Sequence, residues 1–407
     1  MTGIQPLKEK VQREIDEIAP QLIECSDWMA DNPEIGLQEY QASARLTKML
    51  EESGAELERG IAELPTAFRA TLAGSSSEQP TIAILAEYDA LPDVGHGCGH
   101  NIIGNAAVGA GMAISRLGGR GELGDLPGKV VVIGTPAEES AGGKIDILEH
   151  GYFDDVDATI MMHPTTRDQI ASRHMTVYGI EFEFHGKPAH AAFDPYQGIN
   201  ALDAVIQTFV NVGLLRQQVS PQARIHGVIT HGGAAVNIIP SYAACRFGIR
   251  SFDVNYAQEL KGRVIACAEA AAIATGARLE WHEFMRPYLS YLPNNVLGEV
   301  VIANMQSLGH TVEQAEDVYA STDLGNVSQV VPTAYAIFGI CSEEIGWHSK
   351  EVAAATKSER GHEVLLAAAK TLAISTLDLL GDPDLIARAR REHQAAIGST
   401  SDYTSQV

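Results

Sequence analysis

Strand and helix signals alternate along most of this chain, and that alternation constrains it to an α/β sheet with helices on its faces. Apolar strands are expected at Thr81 to Ala86, Lys129 to Gly134, Ala158 to Met162 and Ala334 to Gly339, and a strand-like stretch runs from Thr66 to Ala73 before a loop at Ser75 to Ser77. Interspersed with them are the small-residue helix Gly104 to Leu117, a helix around Gly143 to His150 and the Ala-rich helix Ser358 to Leu380. The first fifty residues read as helix, broken at Asn32-Pro33, resumed from Tyr40 to Ser53 and stopped by Gly54. Between Met175 and Pro287 the rhythm changes to strand 175–185, helix 198–212, strands 223–230 and 241–249, helix 256–274 and strand 277–285. That order, βαββαβ, describes a small ferredoxin-like sandwich with its own core. At 407 residues the chain is too long for one ordinary core. The pattern therefore predicts a main domain of residues 1–174 plus 288–407, interrupted by an inserted domain of residues 175–287. The tail beyond Ile397 is expected to be disordered.

The candidate chemistry lies where strands end, the place where open α/β sheets bind ligands. Directly after Thr81 to Ala86 comes Glu87-Tyr-Asp-Ala-Leu-Pro-Asp-Val-Gly-His-Gly-Cys-Gly-His-Asn101. Cys98 and His100 are two apart, and the glycines flanking Cys98 permit a backbone that aims both side chains at one point. Thiolate plus imidazole suits zinc. A lone Cys-x-His is commonly coincidence, and the second reading of Cys98 is a redox or nucleophilic thiol, which would want a nearby base rather than several more ligands. The other strand ends shift that balance. Lys129 to Gly134 runs into Thr135-Pro-Ala-Glu138-Glu139, where one carboxylate can hold a metal while its neighbour stands over the bound water. Ala158 to Met162 ends at His163-Pro164, and Ala334 to Gly339 is followed by Gly346-Trp-His348-Ser. Four strand-end loops, each with a ligand type, point to a metal site.

A formal charge of −23 disfavours nucleic acid or anionic membrane as a partner, because phosphate binding needs basic patches. No uninterrupted apolar run is long enough for a membrane span, and the N-terminus lacks a signal-peptide pattern. The five cysteines are widely spaced and suit a reducing compartment, so the expected location is cytoplasmic. Cys25, Cys245, Cys267 and Cys341 read as small buried hydrophobes. Gly95-His-Gly-Cys-Gly lacks the strand–glycine–helix spacing of a dinucleotide fingerprint.

The combination of EYDALP, GHGCGHN, TPAEES, MMHP and WHS resembles one metallopeptidase and amidohydrolase family, that of glutamate carboxypeptidase, aminoacylase and the auxin-conjugate hydrolases. With Cys-Gly-His and the stretch Ser321-Thr-Asp-Leu-Gly-Asn-Val-Ser-Gln-Val-Val-Pro332, it most resembles the branch of aminobenzoyl-glutamate hydrolase and related dipeptidases. The resemblance extends from Asn32-Pro-Glu-Ile-Gly36 to His348. It implies a three-layer, zinc-peptidase-like catalytic domain with an inserted lid that dimerises. It also implies two divalent ions per subunit, zinc first, with manganese or cobalt as alternatives. By the same resemblance Cys98 replaces a metal-bridging carboxylate, and His100, Glu139, His163 and His348 complete the ligands. Glu138 is then the general base and Asp89 orients a ligand from behind, while His96 is a possible extra ligand that reads rather as structural or as standing behind the ligands. In the inserted domain, His190 and Asn237 would reach the substrate carbonyl of the neighbouring subunit, and Arg250 would hold the substrate carboxylate. Read without the resemblance, His190 and Asn237 merely cap and turn. Glu87 departs from the broader family, where many members carry a histidine ligand, and this leaves the partition of ligands between the two ions open. The implied activity is hydrolysis of small N-acyl amino acids, aminobenzoyl-glutamate-like conjugates or dipeptides by a homodimer. The alternative is a catalytically silent metal-binding scaffold, which would have lost Glu138 or a ligand; none is lost here.

Overall fold

The computed structural model describes residues 4–76, 80–124, 126–313 and 315–401. Its strands are β1 (Glu56–Arg59), β2 (Phe68–Thr71), β3 (Thr81–Ala86), β4 (Lys129–Gly134), β5 (Ala158–Thr165), β6 (Gln169–Ile170), β7 (Thr176–His185), β8 (Arg224–His231), β9 (Tyr242–Ser251), β10 (Arg278–Glu283) and β11 (Thr333–Gly339). The chain divides into two compact units. The larger runs to Arg173 and resumes over Leu292–Asp317 and Asn326–Gly398; the smaller holds His174–Tyr291 and Val318–Gly325.

In the larger unit the sheet order is β1-β2-β4-β3-β5-β11-β6. The neighbours β4, β3, β5 and β11 are parallel, so their carboxyl ends share one edge of the sheet. Every residue of β3 is buried, as expected of a continuous apolar run in a parallel sheet covered on both faces. Helices Gln5–Asp31, His100–Gly119 and Glu359–Gly381 pack on one another, and the second also lies on β3, β4 and β5. Glu359–Gly381 is apolar and long enough to cross a membrane, yet 72% of its most apolar stretch is buried, as in a core helix.

Helix His100–Gly119 is rich in glycine and alanine because it is buried along nearly its whole length. A Cβ on Gly104 would stand 2.7 Å from the Glu87 carbonyl oxygen and 3.3 Å from Leu46 Cδ1. Gly104→Ala should therefore destabilise the protein by about 1–3 kcal/mol, the usual cost of overpacking, measured as a lower denaturant midpoint with unchanged slope.

The smaller unit has the element order βαββαβ and an antiparallel sheet ordered β10-β7-β9-β8. Ile180, Phe182 and Phe184 of β7 face its core with Phe247 and Ile249 of β9, against Val205 and Leu260 of the helices Ala201–Leu215 and Val254–Thr275. Intervening Glu181, Glu183 and His185 remain partly exposed, the alternation expected of a half-covered strand. Strand β8 forms a sheet edge whose Val228 and Ile229 are exposed. The two ends of the unit are tied together, since Val177 N–H donates to the Tyr288 carbonyl at 2.8 Å.

Several elements differ from the sequence pattern. Strand β5 continues through His163 to Thr165 because it pairs with β11 along its full length. The helix expected from Gly104 begins at His100, capped by Gly99 in the left-handed region. Strand β1 and the helices Asn295–Ser307 and Pro383–Ser401 are not among the elements expected from the sequence. The last of these enters the tail expected to be disordered from Ile397; residues 402–407 lie outside the described residues, as does Ser77 of the serine loop. Residues 318–325 group with the smaller unit, although the sequence placed everything after 288 in the larger one.

Candidate metal centre

The parallel strands deliver their loops to one edge. After β3 come Glu87, Asp89, Cys98 and His100; after β4 come Glu138 and Glu139; β5 carries His163, and His348 follows β11. The glycines beside Cys98 fill spaces that exclude side chains. A Cβ on Gly97 would lie 2.9 Å from the Ser349 carbonyl oxygen, and one on Gly99, where φ is +80°, would lie 2.4 Å from Pro164 Cγ. The backbone on either side of Cys98 is thus pressed against the segments that carry His348 and His163. Cys98 Sγ lies 3.4 Å from His163 Nε2 and accepts a hydrogen bond from Trp347 Nε1 at 3.4 Å. His348 itself adopts a left-handed backbone, with φ of 59°.

Asp89 Oδ1 lies 2.9 Å from His100 Nδ1, and Asp89 Oδ2 accepts the Glu139 N–H at 3.0 Å. A carboxylate behind an imidazole fixes its tautomer and turns Nε2 toward the site. His100 Nε2 and Glu139 Oε1 are both buried without a hydrogen-bond partner. They stand 3.9 Å apart, and Glu139 Oε1 is 3.6 Å from His348 Nε2. Three overlapping sets, Cys98–His100–His163, Cys98–Glu139–His348 and His100–Glu138–Glu139, each bring ligand atoms within 4.8 Å of one another. Unpaired buried polar atoms cost about 1–3 kcal/mol each, and a cation among them removes that cost. A donor set of one sulfur, three imidazoles and two carboxylates therefore fits borderline divalent metals. His163 Nδ1 faces the Pro164 carbonyl oxygen at 2.6 Å, which assigns the proton to Nδ1 and the lone pair to Nε2.

Burial pushes the Cys98 thiol up to about 12, so without a metal it is a poor thiolate and a poor nucleophile. Burial alone would raise Asp89, but the charge of His100 and the hydrogen bonds from His100 and Glu139 outweigh it and hold the carboxyl low. Burial drives His96 down to about 3, a neutral imidazole that joins none of the three sets. Sequence reasoning missed two close neighbours. Trp347 lies in the quoted Gly-Trp-His-Ser, where only His348 carries a sequence signal. Lys144 is buried with Nζ 2.5 Å from Glu87 Oε1, although its place in a short helix reads as surface. The carboxylate at the unusual Glu87 position is thus held by an ammonium group, while its other oxygen stands 3.5 Å from His100 Nε2.

In the smaller unit, His190 and Asn237 sit on adjoining exposed loops, where Ala191 N–H donates to the Asn237 carbonyl at 2.9 Å. His190 Nδ1 accepts from the backbone N–H groups of Ala192 and Phe193, at 3.2 and 3.1 Å, which places the proton of the neutral ring on Nε2. Arg250 lies inside β9 rather than beyond its end, half-buried, and donates to Ser321 Oγ at 2.8 Å. Ser321 belongs to the stretch that groups with this unit.

A family model described as peptidase family M20/M25/M40 matches residues 83–371. The chain is 36% identical to the Homo sapiens protein named Xaa-Arg dipeptidase, over 96% of this chain and 92% of that one. It is 27% identical to a p-aminobenzoyl-glutamate hydrolase chain of Escherichia coli strain K12, over 91% of each. Among solved structures, a Bacillus subtilis protein described as a dinuclear metal binding peptidase from the M20 family superposes with a TM-score of 0.68. Its identity is 22%, and the match covers 90% of this chain and 99% of that one.

Proposed function

The chain belongs to peptidase family M20/M25/M40 and is a metal-dependent amide-bond hydrolase, and from that premise we propose that it splits small dipeptides, with N-acyl amino acids and aminobenzoyl-glutamate-like conjugates as neighbouring substrate classes. Near full-length similarity to a dipeptidase favours the first of these. The observation that carries the catalytic reading is the convergence of Cys98, His100, Glu138, Glu139, His163 and His348, with His100 Nε2 and Glu139 Oε1 buried and without a hydrogen-bond partner.

Cys98 belongs to two of the three sets and would be shared by the two ions, with His100, Glu139, His163 and His348 completing their ligands. When bound, a pair of divalent cations, zinc by the softness of the thiolate and manganese or cobalt otherwise, supplies Lewis acidity toward the amide carbonyl and the attacking water. Glu138 takes the proton of that water and passes it to the leaving nitrogen. His190 Nε2–H donates to the carbonyl oxygen as negative charge builds on it, with Asn237 beside it. Arg250 holds the substrate carboxylate through paired N–H donors, its guanidinium oriented by Ser321. The working form is a two-fold dimer of the smaller units. In support, β8 is an edge strand with exposed Val228 and Ile229, and Ile206, Val210 and Leu214 form an exposed stripe on helix Ala201–Leu215. A second copy covers both. Five unpaired cysteines agree with a cytoplasmic setting.

Metal-replete protein is expected to hold about two divalent ions per chain, as in paired-metal hydrolases, and Cys98→Ala should lose most of them. Elemental analysis decides this, and full occupancy in the variant rules out Cys98 as a bridge. Activity should vanish on chelation and return with added metal. A panel of dipeptides, N-acyl amino acids and aminobenzoyl-glutamate, assayed with zinc, manganese and cobalt after chelation, identifies the substrate. Metal-replete protein inert toward all of them would be the silent scaffold.

A further inference from the structure

We propose that Glu39, which lies outside the ligand set, is the positioning residue for the Glu138–Glu139 turn and acts by accepting the Ala137 N–H. The inference rests on the reading of Glu138 as base and Glu139 as ligand. Glu39 is 0% exposed, although the polar stretch around it reads as surface loop. Its Oε1 accepts from Ala137 N at 2.9 Å, and its Oε2 accepts from Thr66 Oγ1 at 3.0 Å.

Ala137 is the hub of the turn. Its carbonyl oxygen receives the N–H groups of Ser140, Ala141 and Gly142 at 3.3, 3.0 and 2.8 Å, which closes the backbone around Glu138 and Glu139. Ala137 also has a φ of 61°, a left-handed conformation that an alanine holds only when its surroundings impose it. The Glu39 carboxylate supplies that constraint at the one backbone group of Ala137 that the turn leaves over.

The loop bearing Glu39 grips the turn at a second point. A Cβ on Gly36 would lie 2.2 Å from Ser140 Oγ and 3.0 Å from Ala137 Cα. The same loop is fastened to the segment of Asp89, since Ala90 N–H donates to the Glu34 carbonyl at 2.8 Å. Residues 34–39 thereby hold the turn after β4 and the segment after β3 in fixed spacing. Asp89 spans that same gap by accepting the Glu139 N–H.

Three variants test this, each followed by kcat, KM, zinc affinity of the apoprotein by competition with a chromophoric chelator, and thermal unfolding. Glu39→Ala should lower kcat by about 10- to 100-fold, the range expected when catalytic groups shift by up to an ångström, with KM changed less than about threefold. Zinc affinity should fall by about tenfold or more, as when a partner that orients a ligand is lost. Glu39→Gln keeps the acceptor and should stay within about threefold of wild type in both readouts, which a purely electrostatic role of Glu39 would not allow. Gly36→Ala pushes the turn from its other side and should resemble Glu39→Ala. A folded Glu39→Ala protein with wild-type kcat and zinc affinity overturns the proposal, as does a Glu39→Gln protein damaged as badly as Glu39→Ala. If Glu39→Ala fails to fold, Gly36→Ala decides, and unchanged kcat and zinc affinity there overturn the proposal. Failure of the underlying reading shows separately, as a Glu138→Gln protein that keeps its turnover.

Discussion

Glu138→Gln should lower kcat by about 100-fold or more while leaving bound metal and KM close to wild type, the usual scale for loss of a general base. The amide is nearly isosteric with the carboxylate, so the turn held by Ala137 keeps its geometry, but no group remains to take the proton from water. Glu139→Gln should behave differently. Its Oε1 is the buried, unpartnered oxygen near His100 and His348, and replacing it should weaken metal affinity before it touches the chemical step. Because both carboxylates offer oxygens within 4.8 Å of a His100 ligand atom, proximity alone does not separate their roles. Metal titration of the two variants does, and the reverse pattern would exchange the assignments.

What could be read from the sequence depended on how locally each feature is determined. Strands β3 and β4 are unbroken apolar runs between a polar loop and a charged or proline-containing turn, so their bounds were plain. His163 looked like the residue just past a strand end, because Pro164 breaks the apolar run. Only pairing with β11, far along the chain, extends β5 through it. The candidate ligands stood out because each lies at or just past the end of an apolar run, and their residue types combine into one chemistry. Lys144, Trp347 and Glu39 did not, since what matters about each is contact with a distant segment. A lysine in the first turn of a short helix and a glutamate in a polar loop carry no local sign that they are sealed from water.

Mixing two inactive proteins should restore activity. Glu138→Ala and His190→Ala homodimers are each expected to be nearly dead, one lacking the base and the other the donor to the carbonyl oxygen. If His190 serves the neighbouring subunit's centre, a mixed dimer has one site with both defects and one with neither. Random re-pairing of equal amounts makes half the dimers mixed, so about one quarter of wild-type activity should return. Subunit exchange is verified independently with differently tagged chains. A mixture that stays inactive despite proven exchange places His190 in its own subunit's chemistry or in none.

Strand β11 reaches its place beside β5 only after the chain has passed through the whole smaller unit. For a flexible chain, joining two such distant segments carries a loop-closure entropy and slows folding, because the contact yields nothing until the loop has closed. The hydrogen bond from Val177 to Tyr288 changes that arithmetic. Once the smaller unit has collapsed, its entry and exit are neighbours, and the loop left to close between β5 and β11 is shorter than the sequence separation suggests. Assembly should therefore be ordered, with the insert folding first and the last parallel strand docking afterwards. His348, the candidate ligand that follows β11, should then be the last to join the others, and full metal binding should require a complete sheet.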